Sequence, residues 1–434
     1  MTRSREMEND MDWSPQQDTA LTRVDRWLRN PGDKQLFRLF GYAGTGKTTL
    51  ARHLAEGVDG SVLFAAYTGK AASVLRKSGA SNAQTLHSLI YTPKGKSRQR
   101  LDELKQALME VQTMIHEERQ EAAADIQAGY EWKPPVHLAD REQKLTGEIR
   151  AEEKNAQRPD WSLNLESNLR DASLLVVDEC SMVDEEMAQD ILSFKVPVLV
   201  LGDPAQLPPV KGTGYFTDAD PDVMLTEIHR QARDNPIIEL ATRVRSGQRL
   251  ERGAYGDSAV IARATPELAL ASDQVLVGLN RTRTSTNRRM RELKDFTGSP
   301  FPLAGEKLVC LRNDKDHGLL NGTLHMSLTD SELLGGYVNL RIRPEDNQDA
   351  EALLVPAHPE HFNGDPEQIG YWDRRNAQEF TFGYALTVHK SQGSQWGRIL
   401  IIDESSAFRQ ADTRQKWLYT AITRAQDVVT IVGG

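Results

Sequence analysis

Short apolar runs alternate with helical patterns in the first part of the chain. The runs have the length of buried strands and lie at 37–40, 62–66, 174–177 and 198–201. Helical spacing follows the first two runs, over 48–56 and 70–76. This repetition of strand, turn and helix predicts a parallel sheet with helices on both faces, and therefore an α/β fold.

The same alternation returns in the second half of the chain. Apolar runs of strand length lie at 275–277, 399–402 and 428–432. One helical pattern precedes the run at 399–402, and another lies between this run and the one at 428–432. We therefore predict a second parallel sheet, to which residues on both sides of 306–377 contribute.

Residues 97–158 interrupt the first α/β region with a different pattern. Leu, Val and Ile recur at spacings of three and four between Leu101 and Ile115, which is typical of a helical seam. Pro134 and Pro135 break this pattern, and a second, weaker helical pattern begins at Leu138. The segment therefore predicts a charged, two-helix antiparallel arm.

Residues 306–377 interrupt the second α/β region. Three short strand patterns, at 307–311, 322–326 and 337–342, are joined by turns rich in Asn, Asp and Gly. Such a series predicts a small β-barrel insert. The predicted domains are residues 12–96 with 159–223, the arm at 97–158, residues 224–305 with 378–434, and the insert at 306–377.

Composition narrows the class of protein. The chain has 434 residues, of which 39% are hydrophobic, so it is too apolar to be disordered. No apolar run approaches the ~18 residues of a membrane span, and the mixed-charge start is unlike a signal peptide. Cys180 and Cys310 are too few for a disulfide framework or a four-cysteine zinc site. We expect a cytoplasmic protein with no membrane association.

The net charge of −9 argues weakly against nucleic acid, because polyanion binders usually carry a basic surface. A groove needs only local positive charge, however, and basic residues cluster between Arg281 and Arg291. Taken alone, that cluster fits a solvated helix face equally well.

A phosphate loop follows the first predicted strand. Gly41 to Thr48 has the glycine spacing of that loop and ends in Lys-Thr, between a strand and a helix. Glycines let backbone N–H groups turn towards phosphate, Lys47 reaches the β- and γ-phosphates, and Thr48 is a Mg²⁺ ligand. The predicted nucleotide-binding residues of this loop are Gly41, Gly44, Gly46, Lys47, Thr48 and Thr49.

Two carboxylates end the apolar strand at 174–177. Asp178 suits a Mg²⁺ shell, and Glu179 suits a general base that polarises the attacking water. An acidic turn at a strand end is the alternative, which the phosphate loop makes weaker. Gln206 follows the next strand, where an amide can sense the γ-phosphate or orient water. Cys180 is expected to be a small buried residue.

Further motifs lie at Gln17, 67–72, 84–89, 225–231, 384–393 and 419–425. In their order along the chain and in their residues, these motifs resemble those of the superfamily 1 DNA helicases, and most of all those of the RecD/Dda-like branch. The resemblance covers nearly the whole chain except the arm. It implies two RecA-like domains with ATP in the cleft between them, an arm of the 1B type and a small SH3-like barrel of the 2B type.

The resemblance also implies roles for individual residues around ATP. Gln17 would contact the adenine, and Gln395 stands where relatives commonly carry Glu, with a carbonyl that can accept a ribose hydroxyl. Arg230 and Arg424 would act as arginine fingers on the γ-phosphate, where negative charge develops.

A single-stranded DNA track is implied across both domains. Hydroxyl, Lys and imidazole groups on loops bond phosphates, and an imidazole face can stack on a base. Each residue alone is better explained as a surface polar residue or a helix cap, and only the ordered set of motifs favours a DNA track. The implied track residues are Thr68, Lys70, Thr85, His87, Thr387, His389, Lys390 and Ser391.

We expect from the whole set an ATP- and Mg²⁺-dependent DNA helicase or translocase. It would move 5′ to 3′ as a monomer on single-stranded and forked DNA, in replication, repair or recombination, and the arm would be the place for a protein partner. Two alternatives stay open. One is a motor subunit of a larger nuclease or recombination complex, and the other is a DNA-stimulated ATPase switch without unwinding.

Overall fold

The structure, a computed structural model, describes residues 13–30, 32, 34–93, 98–122, 132–156, 161–208, 214–227, 235–314, 317–370 and 373–433. The α-helices of this part of the chain are α1 (Pro15–Arg29), α2 (Lys47–Glu56), α3 (Gly69–Lys77), α4 (Leu86–Ile90), α5 (Arg98–Glu121), α6 (Val136–Ala156), α7 (Glu185–Ser193), α8 (Pro236–Arg245), α9 (Pro266–Ala271), α10 (Asn280–Leu293), α11 (Glu360–Asn363), α12 (Val388–Ser391) and α13 (Ala411–Ile422).

The strands of the first half are β1 (Leu36–Gly41), β2 (Val62–Ala66), β3 (Gln84–Thr85), β4 (Tyr91–Pro93), β5 (Trp161–Leu163), β6 (Leu174–Asp178), β7 (Val198–Gly202) and β8 (Val223–Leu225). Those of the second half are β9 (Gly253–Tyr255), β10 (Ser258–Ile261), β11 (Gln274–Val277), β12 (Lys307–Cys310), β13 (Leu324–Ser327), β14 (Glu332–Leu334), β15 (Tyr337–Pro344), β16 (Leu353–Ala357), β17 (Phe380–Phe382), β18 (Ala385–Thr387), β19 (Trp396–Ile402) and β20 (Ala425–Val432).

The first sheet has the order β3-β2-β6-β7-β1-β8, and all its neighbouring strands are parallel. The central strand β7 is buried along its whole length, as expected for a strand covered on both faces. Because parallel strands end at the same edge, the residues after β1, β6 and β7 come together there. The predicted α/β fold with a parallel sheet is confirmed.

The second sheet has the order β18-β11-β19-β20-β10-β9. Its neighbours are parallel except for β9, which forms an antiparallel hairpin with β10. The helix α13 comes directly before β20, and its Trp417 is fully buried in the core of this half. The carboxyl end of α13 therefore lies beside the start of β20.

A third sheet is antiparallel, with the order β14-β15-β13-β12-β17 and with β16 paired to β15. Along β15, Val338, Leu340 and Ile342 are buried and alternate with more accessible residues, which is the period of a strand with one face on a core. The predicted strands at 307–311, 322–326 and 337–342 correspond to β12, β13 and β15.

Two predicted boundaries differ from the strand pairing. The boundary at 223 falls inside β8, which continues to Leu225 along β1. The boundary at 377 precedes β17, which pairs with β12 of the antiparallel sheet rather than with the second parallel sheet. Both strands have only three residues, so their apolar patterns were too short to assign to a sheet before the pairing was known.

Contacts divide the chain into two compact units. One comprises Met1–Ile90, Asn164–Gly364 and Ala377–Gly434, and contains the three sheets described above. The other comprises Tyr91–Leu163 and Asp365–Asn376. In the second unit β4 and β5 form an antiparallel ribbon, and α5 packs on α6, where Gln112 Nε2 donates to Glu142 Oε1 at 3.0 Å. Residues 365–376 thus belong with the arm, although the prediction counted them in the β-barrel insert.

None of the helices that the structure describes has the length and apolarity that crossing a membrane requires.

A buried ion pair links α10 to the antiparallel sheet. Arg291 Nε and Nη2 donate to the two carboxylate oxygens of Glu306 at 2.7 and 3.0 Å. The Glu306 side chain is 0% exposed, and it also accepts from Leu303 N at 2.9 Å. The guanidinium covers the Phe382 ring, 4.2 Å from its centroid. The cluster of basic residues predicted at 281–291 therefore has at least one member with a structural role.

We expect Arg291→Met to destabilise the protein by about 3 kcal/mol, because it leaves the Glu306 carboxylate buried without its cation. Urea denaturation monitored by circular dichroism measures this change. Arg289→Met is the matched control: its pair with Glu292 is exposed, with 62% of the Arg289 side chain accessible, and should change stability by less than about 1 kcal/mol. Equal effects of the two substitutions would contradict the prediction.

Candidate functional site

The phosphate loop connects β1 to α2. Gly44 and Gly46 have positive φ angles of 78° and 76°, a conformation that glycine adopts at least cost. At Gly46 a Cβ atom would also lie 2.9 Å from Gln17 Nε2. Because α2 begins at Lys47, the free backbone N–H groups of its first turn and its positive dipole end face the loop. The loop therefore has the geometry of an anion site.

Lys47 and Thr48 lie at the start of this helix. Lys47 Nζ donates to the carbonyl oxygens of Gly41 and Tyr42 at 2.7 and 3.0 Å, so the ammonium is held over the loop. Thr48 Oγ1 donates to Asp178 Oδ2 at 2.9 Å. The structure thus brings together the hydroxyl and the carboxylate that were predicted as Mg²⁺ ligands.

The two carboxylates after β6 differ in environment. Desolvation and the charge of Glu179 raise the pKa of Asp178, against the bonds from Thr48 Oγ1 and Glu179 N. Glu179 has a positive φ of 51°, which is uncommon for a residue other than glycine. The Glu179 carboxylate meets Arg424, which comes from the second half of the chain.

Glu179, Gln206 and Arg424 form one cluster. Arg424 Nη1 lies 3.7 Å from Glu179 Oε1. With its amide oriented to satisfy both neighbours, Gln206 donates to Glu179 Oε2 at 3.0 Å and accepts from Arg424 Nη2 at 3.2 Å. Arg424 is only 2% exposed, and its Nε donates to Thr420 O at 3.2 Å. The cluster joins residues from the edges of both parallel sheets.

A cavity of about 510 Å³ lies between these edges. Its size is within the range of small-ligand sites. Gly41, the last residue of β1, lies close to Leu225 and does not line the cavity. The predicted residues that do line it are Gly44, Gly46, Lys47, Thr48, Thr49, Asp178, Glu179, Gln206, Gln395 and Arg424.

Gln17 lies under the phosphate loop and does not line this cavity. Its Nε2 donates to Thr45 O at 3.1 Å, and its Oε1 accepts from Ser14 N at 2.9 Å in the capping box of α1. Both ends of the amide are therefore engaged with backbone. The implied contact with adenine stays a prediction, and the structure supplies a second role, support of the loop.

Two residues of the cleft, Asp203 and Tyr419, were not predicted from the sequence. Asp203 follows β7 and is 3% exposed, and Tyr419 on α13 donates to its Oδ2 at 2.6 Å. Desolvation raises the pKa of Asp203. The signal for Asp203 was present, since it follows a buried strand as Asp178 does. Tyr419 belongs to the motif at 419–425, but no role was predicted for it, because no local pattern indicates what a helical tyrosine contacts.

The implied DNA residues of the first parallel sheet lie at helix starts. Thr68 Oγ1 accepts from Ala71 N at 3.1 Å and caps α3, and Thr85 Oγ1 accepts from Ser88 N at 3.2 Å next to α4. The His87 ring stands edge-on to the Tyr67 ring, with 5.5 Å between centroids. Burial lowers the pKa of His87, which favours the neutral imidazole.

Lys70 forms an ion pair with Asp346, which lies just after β15 of the antiparallel sheet. Its Nζ lies 3.4 Å from Asp346 Oδ2, and Lys77 Nζ lies 2.5 Å from the same oxygen. Burial acts to raise the pKa of Asp346, but the bonds and charges of Lys77 and Lys70 hold it below its ordinary value. Nearby, a Cβ atom at Gly69 would lie 2.7 Å from Leu320 Cβ, so the start of α3 is in close contact with the segment between β12 and β13.

The implied DNA residues of the second half of the chain lie in α12 and at its N-cap. Thr387 Oγ1 caps this helix by accepting from Lys390 N at 3.4 Å, His389 is half-buried with its ring 6.5 Å from that of Phe408, and Lys390 is exposed. Ser391 is fully buried, and its hydroxyl donates to Val388 O at 2.8 Å. The structure therefore does not bring Ser391 to a surface. Arg230 lies outside the described residues.

The loop between β1 and α2, the carboxylates after β6 and the arginine from a second parallel sheet define a P-loop nucleotide-binding protein of the RecA-like kind. The chain belongs to the AAA domain family, whose match covers residues 22–265. Residues 382–432 match the UvrD-like helicase C-terminal domain. The predicted resemblance to superfamily 1 helicases of the RecD type is confirmed.

Similar proteins include the ATP-dependent RecD2 DNA helicase of Deinococcus radiodurans, 28% identical over 285 residues. That match covers 58% of this chain and 35% of the relative, so the chain spans about a third of the relative's length. Among solved structures, two Pif1 helicases at forked double-stranded DNA are 18% identical, with a TM-score of 0.50 over 97% of this chain and 92% of that one. This likeness shows the fold.

We expect Gln17→Ala to weaken binding of ATP and GTP by the same factor, about tenfold, because it removes a hydrogen bond to the phosphate loop that both nucleotides need. Fluorescence titration with labelled analogues of both nucleotides measures the two affinities. The melting temperature, followed in parallel, reports any loss of the α1 capping box. Weakened ATP binding with unchanged GTP binding would contradict the supporting role and favour contact with adenine.

Proposed function

We propose that the chain is an ATP-dependent DNA helicase or translocase, which acts on single-stranded DNA, moves 5′ to 3′ and couples ATP hydrolysis to strand separation. The observation that carries this proposal is the cluster of Glu179, Gln206 and Arg424 beside the phosphate loop. It joins two parallel sheets at one cavity, so nucleotide chemistry is coupled to the position of one sheet against the other. The family matches support the same class of motor.

The triphosphate binds at the amino-terminal end of α2. The loop amides and Lys47 hold its phosphates, and release of Lys47 Nζ from the Gly41 and Tyr42 carbonyls frees the ammonium for them. Thr48 Oγ1 and Asp178 Oδ2, 2.9 Å apart, fit a hard cation that keeps most of its water, as Mg²⁺ does. Mg²⁺ would neutralise charge on the phosphates.

Hydrolysis uses the residues that face the loop. Glu179 accepts a proton from the attacking water, and Gln206, which contacts both Glu179 and Arg424, orients that water. Arg424 supplies positive charge at the γ-phosphate, and Arg230 is proposed as a second arginine with the same role. Gln395 is proposed to contact the ribose. For Gln17 we propose support of the phosphate loop through Thr45 O; contact with the adenine is the alternative that the ATP and GTP titration distinguishes.

The DNA track crosses both parallel sheets. We propose that phosphates are bound by Thr68, Lys70, Thr85 and His87 on one side and by Thr387, His389 and Lys390 on the other; for Ser391, burial of the hydroxyl favours a role in shaping α12. Closing and opening of the nucleotide cleft would tighten and loosen these two sets in turn.

The remaining parts would serve strand separation. We propose that the parallel sheets are RecA-like domains 1A (12–96 with 159–223, extended to 225) and 2A (224–305 with 378–434, now starting at 226 and without β17). The antiparallel sheet is proposed as an SH3-like 2B barrel, and 97–158 as a 1B-like helical arm that contacts forked DNA or a replication or recombination partner. A monomer acting in the cytoplasm is the simplest form of such a motor.

The direct test is unwinding of 5′-tailed and 3′-tailed duplexes, measured side by side with ATP and Mg²⁺. We expect unwinding of the 5′-tailed substrate only. Lys47→Ala is the control: it should abolish hydrolysis and unwinding but leave single-strand binding largely intact, because Lys47 serves the phosphates and not the DNA track. DNA-stimulated hydrolysis without unwinding would support the ATPase switch, and activity that requires a co-purified protein would support the motor subunit of a larger complex.

We expect Asp346→Asn to tighten binding of single-stranded DNA, because it releases Lys70 and Lys77 from their shared carboxylate. The slope of log affinity against log salt concentration should steepen by about 0.7 for each additional phosphate bound. Asp349→Asn is the matched control: Asp349 is exposed and lies in the same turn, so the substitution removes the same charge without releasing Lys70 or Lys77 from Asp346. The same gain from both substitutions would indicate net charge alone and remove Lys70 from the track.

A further inference from the structure

The tyrosine hydroxyl in the cleft binds two parts of the first sheet at once. Tyr419 is 1% exposed on α13, and its O–H donates to Asp203 Oδ2 at 2.6 Å. The same oxygen accepts from Ala43 N of the phosphate loop at 3.0 Å. Burial raises the pKa of Tyr419, so the phenol keeps the proton that it donates. A side chain from the second half of the chain is therefore a hydrogen-bond partner of the phosphate loop.

This contact lies close to Arg424 along the chain. The helix α13 ends at Ile422, and Arg424 follows after one residue. On the next residue of the helix, Thr420 Oγ1 accepts from Leu207 N at 2.9 Å, just after Gln206. Gln392 Nε2 donates to Leu207 O at 3.0 Å. The last turn of α13 is thus fastened to the loop that carries Asp203 and Gln206.

The phosphate loop is held from the same side by a second contact. The Arg245 guanidinium at the end of α8 lies 3.4 Å from the centroid of the Tyr42 ring. Tyr42, Ala205, Arg245 and Tyr419 line a small cavity of about 200 Å³, which differs from the cavity of the phosphate site. This side of the loop is therefore packed by the second half of the chain and carries no group expected to reach the triphosphate.

We infer that Tyr419 is a positioning residue for ATP turnover: its hydroxyl ties the phosphate loop and Asp203 to the turn of α13 that carries Arg424, and so sets where the arginine stands relative to the γ-phosphate. The inference rests on the proposed ATPase function. A small displacement of a group that stabilises the transition state lowers the rate of the chemical step more than it weakens binding. Tyr419 does not line the cavity of the phosphate site, and it acts through Ala43, Asp203 and Arg424.

The test uses the full chain with Tyr419→Phe, which keeps the ring and removes only the hydroxyl. We expect kcat of DNA-stimulated ATP hydrolysis to fall about tenfold, as for loss of one buried hydrogen bond, while KM for ATP changes less than about twofold. Hydrogen exchange measured by mass spectrometry should be faster at the Ala43 amide, because its acceptor is gone. Asp203→Ala, which removes the acceptor of this hydroxyl, should lower kcat in the same way, and the double variant should be no slower than the more impaired single variant.

Tyr384→Phe is the matched control. Tyr384 is also buried and has a hydroxyl 3.4 Å from Glu306 Oε1, but this contact belongs to the antiparallel sheet. It should leave both kcat and exchange at Ala43 unchanged. An equal loss of kcat in the two tyrosine variants would show a general effect on stability and overturn the inference.

Two further outcomes separate this inference from the proposed function. If the unaltered protein hydrolyses ATP and Tyr419→Phe keeps its full kcat, the inference fails and the proposed function stands. If the unaltered protein hydrolyses no ATP, the proposed function fails, and exchange at Ala43 still decides whether the hydroxyl holds the loop. Unchanged exchange at Ala43 in Tyr419→Phe overturns the inference in either case.

Discussion

The hydrogen bonds between the edges of the two parallel sheets are the constraint on which the nucleotide site depends. Each sheet alone holds only part of the chemistry: the first has the phosphate loop, Asp178 and Glu179, and the second has Arg424. These parts meet because the carboxyl ends of parallel strands share one edge, and because Tyr419 and Thr420 of α13 bond to the loops after β1 and β7. The site is complete only when the two edges are in contact.

Burial explains why this contact is specific. Asp203 and Arg424 are almost inaccessible, and a buried charge without a partner is strongly destabilising. Each finds its partners across the gap: Asp203 accepts from Tyr419, and Arg424 meets Glu179 and Gln206. Movement of one sheet against the other must therefore break charge-assisted hydrogen bonds. The binding free energy of a nucleotide can compensate for the free energy lost with these bonds.

The antiparallel sheet is fastened at two places of different character. Arg291 and Glu306 form a buried, bidentate pair to α10, which is a permanent structural contact. The contact of Asp346 with Lys70 and Lys77 is partly exposed, and therefore weaker and sensitive to salt. The sheet is thus held firmly on the side of α10 and loosely on the side of α3, where a phosphate would compete for the same two lysines.

The sequence by itself determined the local elements and the chemistry that needs only neighbours along the chain. Periodicity predicted β2 and β6 and the start of α2, since apolar spacing and glycine position decide these locally. The phosphate loop and the pair Asp178–Glu179 were evident because their function depends on a strand end and a helix start. Short strands such as β8 and β17 were not predicted, because a pattern of three residues is too short to indicate which sheet the strand joins.

Only the tertiary structure decided what each polar side chain contacts. Gln17 proved to support the phosphate loop, Lys70 to share Asp346 with Lys77, and Ser391 to be buried. Tyr419 and Asp203 are 216 positions apart and meet through a single hydrogen bond. Such pairs follow from the packing of one sheet against another, and packing depends on the whole set of buried surfaces rather than on any local spacing. That is the physical reason why the residues of the site could be predicted while their partners could not.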